Sequence, residues 1–375
     1  LRLMRRWGSI WLTGVCLGAT VPMALGCDRG AATETPASRV ESAESHSGAT
    51  AKPSKRMGTE REIDREGVLI GYFELADAPV VDGDTIRVEG VDKSVRLLSV
   101  DTEERCAGTR DRIAAKKDFT AYLERKRGNH LRPQKPGTPM GEAAAEFAKD
   151  FFEGAEEVRL ERDIADEIRG YYGRPLAYAA VKKKGRWTSY NIECVRAGMS
   201  PYFTKYGYSH RFHKELTLAE AGAREARLGI WDPAAQSYGD YDERKAWWNA
   251  RADFIQAIEH EGRQRDDYVF LGRKNAMEKL ERNLGSDVSV ASTVEGIEHF
   301  KGLARVSLNA GPKKLFPVIF FDKDVLRETG LEGYVREPVM IRGKVERYEK
   351  GNYSTLQIVV DEPAQVRLPT LPGPS

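Results

Sequence analysis

The apolar positions of this chain change period several times, and each change marks an element. Apolar or alternating runs at 68–75, 85–89 and 95–100, the first two separated by Asp82-Gly83-Asp84, predict three strands of a small antiparallel meander. Within 141–153, Ala144, Phe147, Ala148, Phe151 and Phe152 fall at helical spacing, so a helix follows the strands. Runs at 158–161 and 176–182 predict two more strands, and 190–197 and 212–228 two more helices. Past a polar stretch at 237–244, residues 247–261 predict a bridging helix that stops at Gly262. Five further strand-like runs, at 287–295, 302–308, 316–321, 339–347 and 356–360, enclose a helix-like segment at 322–329.

This order predicts a mainly β chain with helices, of the α+β class. The first unit, 66–235, has the strands and helices needed for a five-stranded OB-fold barrel with three attached helices. A helical connector is expected over 240–284. A second small β domain over 285–369 runs strand, strand, strand, helix, strand, strand, an OB-like order, and a tail follows at 370–375.

Upstream of the barrel, 28–65 is rich in Ala, Ser, Thr, Glu and Gly, with little to bury, and predicts a flexible linker. Residues 1–27 read as an export signal: Arg2, Arg5 and Arg6 precede an uncharged stretch that ends in small residues. Ala24-Leu25-Gly26-Cys27 resembles a lipobox, which makes Cys27 the lipidation candidate and a membrane anchor the expectation. Plain cleavage after Gly26 fits the same residues. The expected location is the cell envelope as a lipoprotein, at the periplasm or cell surface, or otherwise secretion.

Composition changes this picture little. With 375 residues and 41% apolar content the chain can fill two modest cores, which excludes wholesale disorder. Its net charge of +2 carries no sign of a polyanionic partner, so any such signal must be local. Of four cysteines only Cys106 and Cys194 lie in the folded part, and an oxidising compartment leaves both a disulfide and two buried thiols open.

The candidate chemistry is concentrated in three segments: Val80-Val81-Asp82-Gly83-Asp84-Thr85, Val95-Arg96-Leu97-Leu98-Ser99-Val100-Asp101-Thr102-Glu103-Glu104, and Tyr172-Gly173-Arg174-Pro175-Leu176-Ala177-Tyr178. Taken alone, Asp82-Gly83-Asp84 is an ordinary hairpin turn and each arginine an ordinary surface residue. In order, and followed by Leu228-Gly229-Ile230-Trp231, they resemble the staphylococcal nuclease (thermonuclease-like) family over about residues 66–233. That resemblance implies calcium-dependent cleavage of DNA and RNA phosphodiesters with little sequence preference, leaving a 3′-phosphate. It places calcium on Asp84, Asp101 and the backbone carbonyl of Thr102, assigns Glu104 as general base and Arg96 and Arg174 as phosphate clamps, and lines the nucleotide pocket with Tyr172. The residue types suit that chemistry independently. A hard cation takes oxygen ligands, a carboxylate can accept a proton from water, and arginines match phosphate oxygens in pairs.

Several departures from the family pattern carry expectations of their own. Glu103 stands where proline is usual, which predicts a looser loop beside the base. Gly170 and Tyr171 replace an acid and a lysine. The aromatic residue normally found after the second helix is Tyr202, Phe203 or Tyr206. His210 and His213 sit three apart with no further ligands and read as surface helix. A basic insertion over 109–136 carries Arg110, Arg112, Lys116, Lys117, Arg125, Lys126, Arg127, Arg132 and Lys135 against Asp111, Asp118 and Glu124. Two readings of it are open, a guide for a polyanionic strand and a solvated charged helix. At the level of the whole chain, the alternative to a nuclease is a non-catalytic, envelope-associated OB-fold protein that binds nucleic acid or a protein.

Overall fold

Strand pairing divides the chain into two mixed sheets, and eight α-helices complete the α+β architecture among the described residues. The computed structural model describes residues 67–166 and 173–373; Cys27 and the segments expected to be an export signal and a linker lie outside them. No helix of the described residues is long and apolar enough to cross a membrane.

The first sheet contains β1 (Leu69–Phe73), β2 (Leu75–Asp82), β3 (Thr85–Val88), β4 (Val95–Leu97), β5 (Glu157–Glu161), β6 (Leu176–Lys183) and β7 (Arg186–Ser189). Its order is β1-β5-β6-β4-β3-β2, with β7 added to β6. Seven strands therefore stand where five were expected. The run at 68–75 is two strands broken at Glu74, and the second continues to Asp82. β2 was hidden because LADAPVVD is half-exposed, holds a proline and pairs with β3 through two register shifts, as befits an edge strand. β7 is only four residues long and carries a single large apolar side chain, too little for an alternation signal.

Four helices surround or leave this sheet as its sequence periodicity predicts. They are α3 (Pro139–Phe152), capped by the Thr138 side chain, α4 (Tyr190–Arg196), α5 (His213–Glu225) and α6 (Tyr241–Glu261). Ala148 and Phe152 of α3, with Tyr190 and Val195 of α4, close the core over Ile86, Leu97, Leu160 and Ala179. The insertion adds α1 (Thr109–Lys117) and α2 (Phe119–Arg127), whose only buried residues are Ala115 and Tyr122. Cys106 and Cys194 are both buried free thiols.

α6 starts six residues before the apolar pattern does. Its buried face includes Arg244 and Arg251 alongside Trp247, Trp248 and Phe254, so two charges interrupt the stripe that would have marked it. After it come β8 (Tyr268–Phe270) and α7 (Ala276–Arg282), then β9 (Asp287–His299), β10 (Ala304–Asn309), β11 (Leu315–Phe320), α8 (Lys323–Thr329), β12 (Pro338–Lys350), β13 (Tyr353–Val359) and β14 (Val366–Arg367). Here β9, β10, β11, β13 and β12 pair in sequence and β12 pairs back to β9, which closes a ring of five strands around Val290, Val306, Val318, Ile341 and Ile358. This unit is fastened to α6 by Glu337, which accepts from Trp247 Nε1 at 3.1 Å and pairs with Arg251.

Candidate functional site

Asp84, Arg96, Asp101, Thr102 and Arg174 lie on or within a few residues of β2, β3, β4 and β6, and Glu104 stands seven residues past β4. Asp82 ends β2 and Thr85 begins β3, so Asp84 sits in the two-residue turn between paired strands. The turn is packed from both sides. A Cβ on Gly83 would come within 2.8 Å of the Thr102 and Ala144 side chains, and the Gly83 carbonyl accepts from Tyr190 Oη at 2.5 Å. Arg96 lies on β4, which runs parallel to β6 and pairs with it at Leu176; its N–H donates to the Pro175 carbonyl at 2.9 Å, which brings the segment just before β6, where Arg174 lies, up to β4. Asp101 follows the strand, its N–H held at 2.8 Å by Ser200 Oγ.

These placements bring both aspartates to one guanidinium. Arg96 Nη1 pairs with Asp84 Oδ1, and Nη2 lies 2.6 Å from Asp101 Oδ1. Asp84 Oδ2 accepts the Thr102 N–H at 3.2 Å, which orders the backbone at Thr102. Asp84, Asp101 and Thr102 are all buried, and Arg96 is partly exposed. Burial alone would raise Asp101, yet Lys135 and Arg96 outweigh it and hold the carboxyl below its ordinary value.

Glu104 is exposed at the rim of the same pocket. Burial of part of its carboxyl, with the negative charge of Asp82 and Asp101, raises it above the ordinary glutamate range against the opposing pull of Lys135 and Arg96. The shift moves it toward a better proton acceptor at neutral pH. Asp82 adds a third carboxylate close by, raised mainly by burial and lowered by Thr85, Arg96 and Arg174. Arg174 is therefore close enough to Asp82 for its charge to be felt there. Tyr172 lies outside the described residues. Of the three aromatic candidates, Tyr202 and Phe203 are buried and Tyr206 is 73% exposed. His210 and His213 are exposed and contact Glu259 and Tyr202 respectively.

Glu103 reverses the expectation of a loose loop. It is 1% exposed and accepts from Tyr238 N–H at 2.6 Å and Tyr241 Oη at 2.8 Å, while its other oxygen meets Thr138 Oγ1. Burial pushes its carboxyl up to about 7 despite these hydrogen bonds. Tyr238 also donates to the Pro136 carbonyl at 2.7 Å, and Arg244 of α6 holds the Gln134 carbonyl. Sequence reasoning missed this clamp because its halves are more than a hundred residues apart. The only trace was a carboxylate where proline was expected.

Gly141 closes the loop from the other side. Thr138 N–H donates to the Glu104 carbonyl at 2.9 Å, and a Cβ on Gly141 would overlap that carbonyl. Gly141→Ala is therefore expected to push the Glu104 backbone aside and to lower stability by about 1–3 kcal/mol, the usual cost of overpacking. A variant that melts like wild type would show that the helix start does not hold the Glu104 backbone.

The insertion is divided in its roles. Lys126 pairs with Asp111, and Arg127 with Asp240 and Glu243, so these cations are spent on anchoring. Arg110, Arg112, Lys116, Lys117 and Arg125 are exposed. Lys135 reaches the site, its Nζ 2.6 Å from both Asp101 oxygens. The donor set of two carboxylates and a backbone carbonyl has the chemistry of a hard divalent cation site. Such an ion would take the place of Lys135 at Asp101. Among the described residues no three His, Cys, Asp or Glu side chains group as a complete cage, so the remaining ligands would be carbonyl and water.

The structure thus brings together two carboxylates on one arginine, an exposed glutamate with a raised carboxyl, and a second arginine near Asp82. Residues 94–233 match the family model of the staphylococcal nuclease homologues. Asp84, Tyr238 and Tyr241 lie outside the matched stretch. Among curated proteins, none matches the chain.

Proposed function

We propose that the protein is an exported, calcium-dependent nuclease that hydrolyses phosphodiester bonds of DNA and RNA with little sequence preference. The observation that carries this reading is the convergence of Asp84 and Asp101 on Arg96, with Glu104 within electrostatic reach of Asp101 and Arg96, and Arg174 within that of Asp82. The signal-like residues 1–27 support export, and Cys27 supports a lipid anchor in the envelope. The first sheet with its helices serves as an OB-type barrel, a surface that accepts extended strands through backbone contacts.

Each group has one task. Arg96 and Arg174 offer paired N–H donors to the phosphate and stabilise the charge that builds as phosphorus becomes five-coordinate. Glu104 accepts the proton of the attacking water, and its raised basicity favours that step near neutral pH. When bound, calcium would be held by Asp84, Asp101 and the Thr102 carbonyl and would polarise the phosphate oxygen and the water. Glu103, Tyr238 and Tyr241 fix the loop so that Glu104 keeps its position at the rim.

The test is digestion of heat-denatured DNA by the chain in millimolar calcium, with chelator as the control. Glu104→Gln and Arg174→Ala should each reduce cleavage by about a hundredfold or more while DNA is still bound. Undiminished digestion in both variants would remove these residues from the mechanism. Retention of DNA by the wild type without any cleavage would instead favour a non-catalytic binding protein.

A further inference from the structure

Cations gather around Trp247 in a way that the cleavage chemistry does not use. Lys205 Nζ lies 4.7 Å from its ring centroid, Arg132 Cζ 5.1 Å and Arg251 Cζ 5.8 Å. Lys135 lies 5.4 Å from the ring of Phe203, which packs edge-on against Trp248. An aromatic face attracts cations, but it does not neutralise three at Trp247 and a fourth at Phe203.

The counter-charges fall short. Glu337 pairs with Arg251, and Asp101 pairs with Lys135. Arg132 donates only to the Pro372 carbonyl, at 3.0 Å. Among the described residues no carboxylate forms an ion pair with Lys205. Burial, with repulsion from Arg251 and Lys135, pulls Lys205 down to about 8, which is the behaviour of an ammonium short of negative charge. Asp101 and Glu337, the carboxylates that draw on it, are both already paired with other cations.

We propose that Lys205, Arg132 and Lys135 form a phosphate subsite that receives a backbone phosphate of single-stranded nucleic acid next to the one attacked at Glu104. This deepens the nuclease reading and rests on it for the location of the attacked bond. Lys135 links the two positions, since its ammonium touches Asp101 on one side and repels Lys205 on the other. A phosphate placed between Lys135, Lys205 and Arg132 would supply the missing charge. The site is assembled from distant parts of the chain. The segment between α4 and α5 provides Lys205, the insertion provides Arg132 and Lys135, the connector helix provides the Trp247 face, and Glu337 of the second β unit and the Pro372 carbonyl of the tail hold Trp247 and Arg132 in place. The C-terminal unit thereby acquires a role in substrate binding.

The experiment measures binding of a fluorescently labelled oligothymidylate to the full chain, in chelator, over a range of salt concentrations. Lys205→Gln and Arg132→Gln should each weaken binding roughly three- to tenfold at low salt and flatten the plot of log affinity against log salt by about 0.7. The charge-keeping Lys205→Arg and Arg132→Lys should restore both. A double Gln variant with wild-type melting temperature, affinity and salt slope would overturn the subsite. If the Gln variants melt lower, failure of the charge-keeping variants to restore the slope overturns it equally. Loss of slope in a chain that binds the strand but cleaves nothing in calcium would uphold the subsite and remove the nuclease reading.

Discussion

Arg96→Ala should both stop cleavage and unsettle the protein before any substrate is added. The guanidinium is the shared partner of Asp84 and Asp101, both buried. Its removal leaves Asp84 with only the Thr85 hydroxyl and the Thr102 N–H, and leaves Asp101 to Lys135. Breaking a buried pair by deleting one member costs on the order of 3–5 kcal/mol, because the orphaned charge stays out of water. In chelator at neutral pH the variant should therefore melt well below wild type. The deficit should shrink in acid, where carboxylates protonate, and shrink again when millimolar calcium is added at neutral pH. Cleavage should fall by about a thousandfold, since a clamp on the developing phosphate charge is gone. Arg96→Lys should recover part of the stability but little of the rate, because an ammonium cannot bridge two carboxylates as a planar fork does. An Arg96→Ala protein that melts like wild type in chelator would show that the bridge does not hold the site together.

The second large effect belongs to Glu103. Truncation to alanine strips partners from Tyr238 N–H, Tyr241 Oη and Thr138 Oγ1 in a buried setting, and should cost about 2–4 kcal/mol. The pH dependence is opposite to that of an ordinary paired carboxylate. A carboxyl raised from 4.5 to about 7 in the folded protein gives stability that is fully present below 4.5 and lost as pH rises through about 7. The loss amounts to roughly 3 kcal/mol for a shift of that size. Denaturant unfolding in chelator should thus show this contribution declining between pH 5 and 8 in wild type. Glu103→Gln, which keeps the shape without the charge, should lose that decline. A Gln variant with the wild-type pH profile would place the slope elsewhere.

Glu103 also shows where reading along the chain reached its end. Beside the three motif segments it stood out only as a missing proline, and a loose loop was the reasonable expectation. Its partners Tyr238 and Tyr241 lie beyond the stretch that resembles the nuclease family, and nothing in the spacing links them. The helix of Tyr241–Glu261 was shortened for a related reason: Arg244 and Arg251 are buried on the face where periodicity requires apolar residues. Each is matched by a group distant in sequence, Arg244 by the Gln134 carbonyl and Arg251 by Glu337. Strand β2 was lost for the opposite reason, since an exposed edge strand carries no strong apolar alternation.

Local pattern alone determined the α+β class, most strands and helices, the order of the motif segments and the residue types suited to phosphate chemistry. Hydrophobic periodicity and turn residues act over a few positions, and a linear reading records them directly. Tertiary structure decided that Arg96 ties Asp84 to Asp101, that Lys135 of the insertion enters the same site, and that the connector clamps the loop of Glu104. Those facts depend on charges and hydrogen bonds between residues of different elements, from 5 to 138 positions apart. Such pairs become visible only when folding has brought them within a few ångströms and withdrawn them from water.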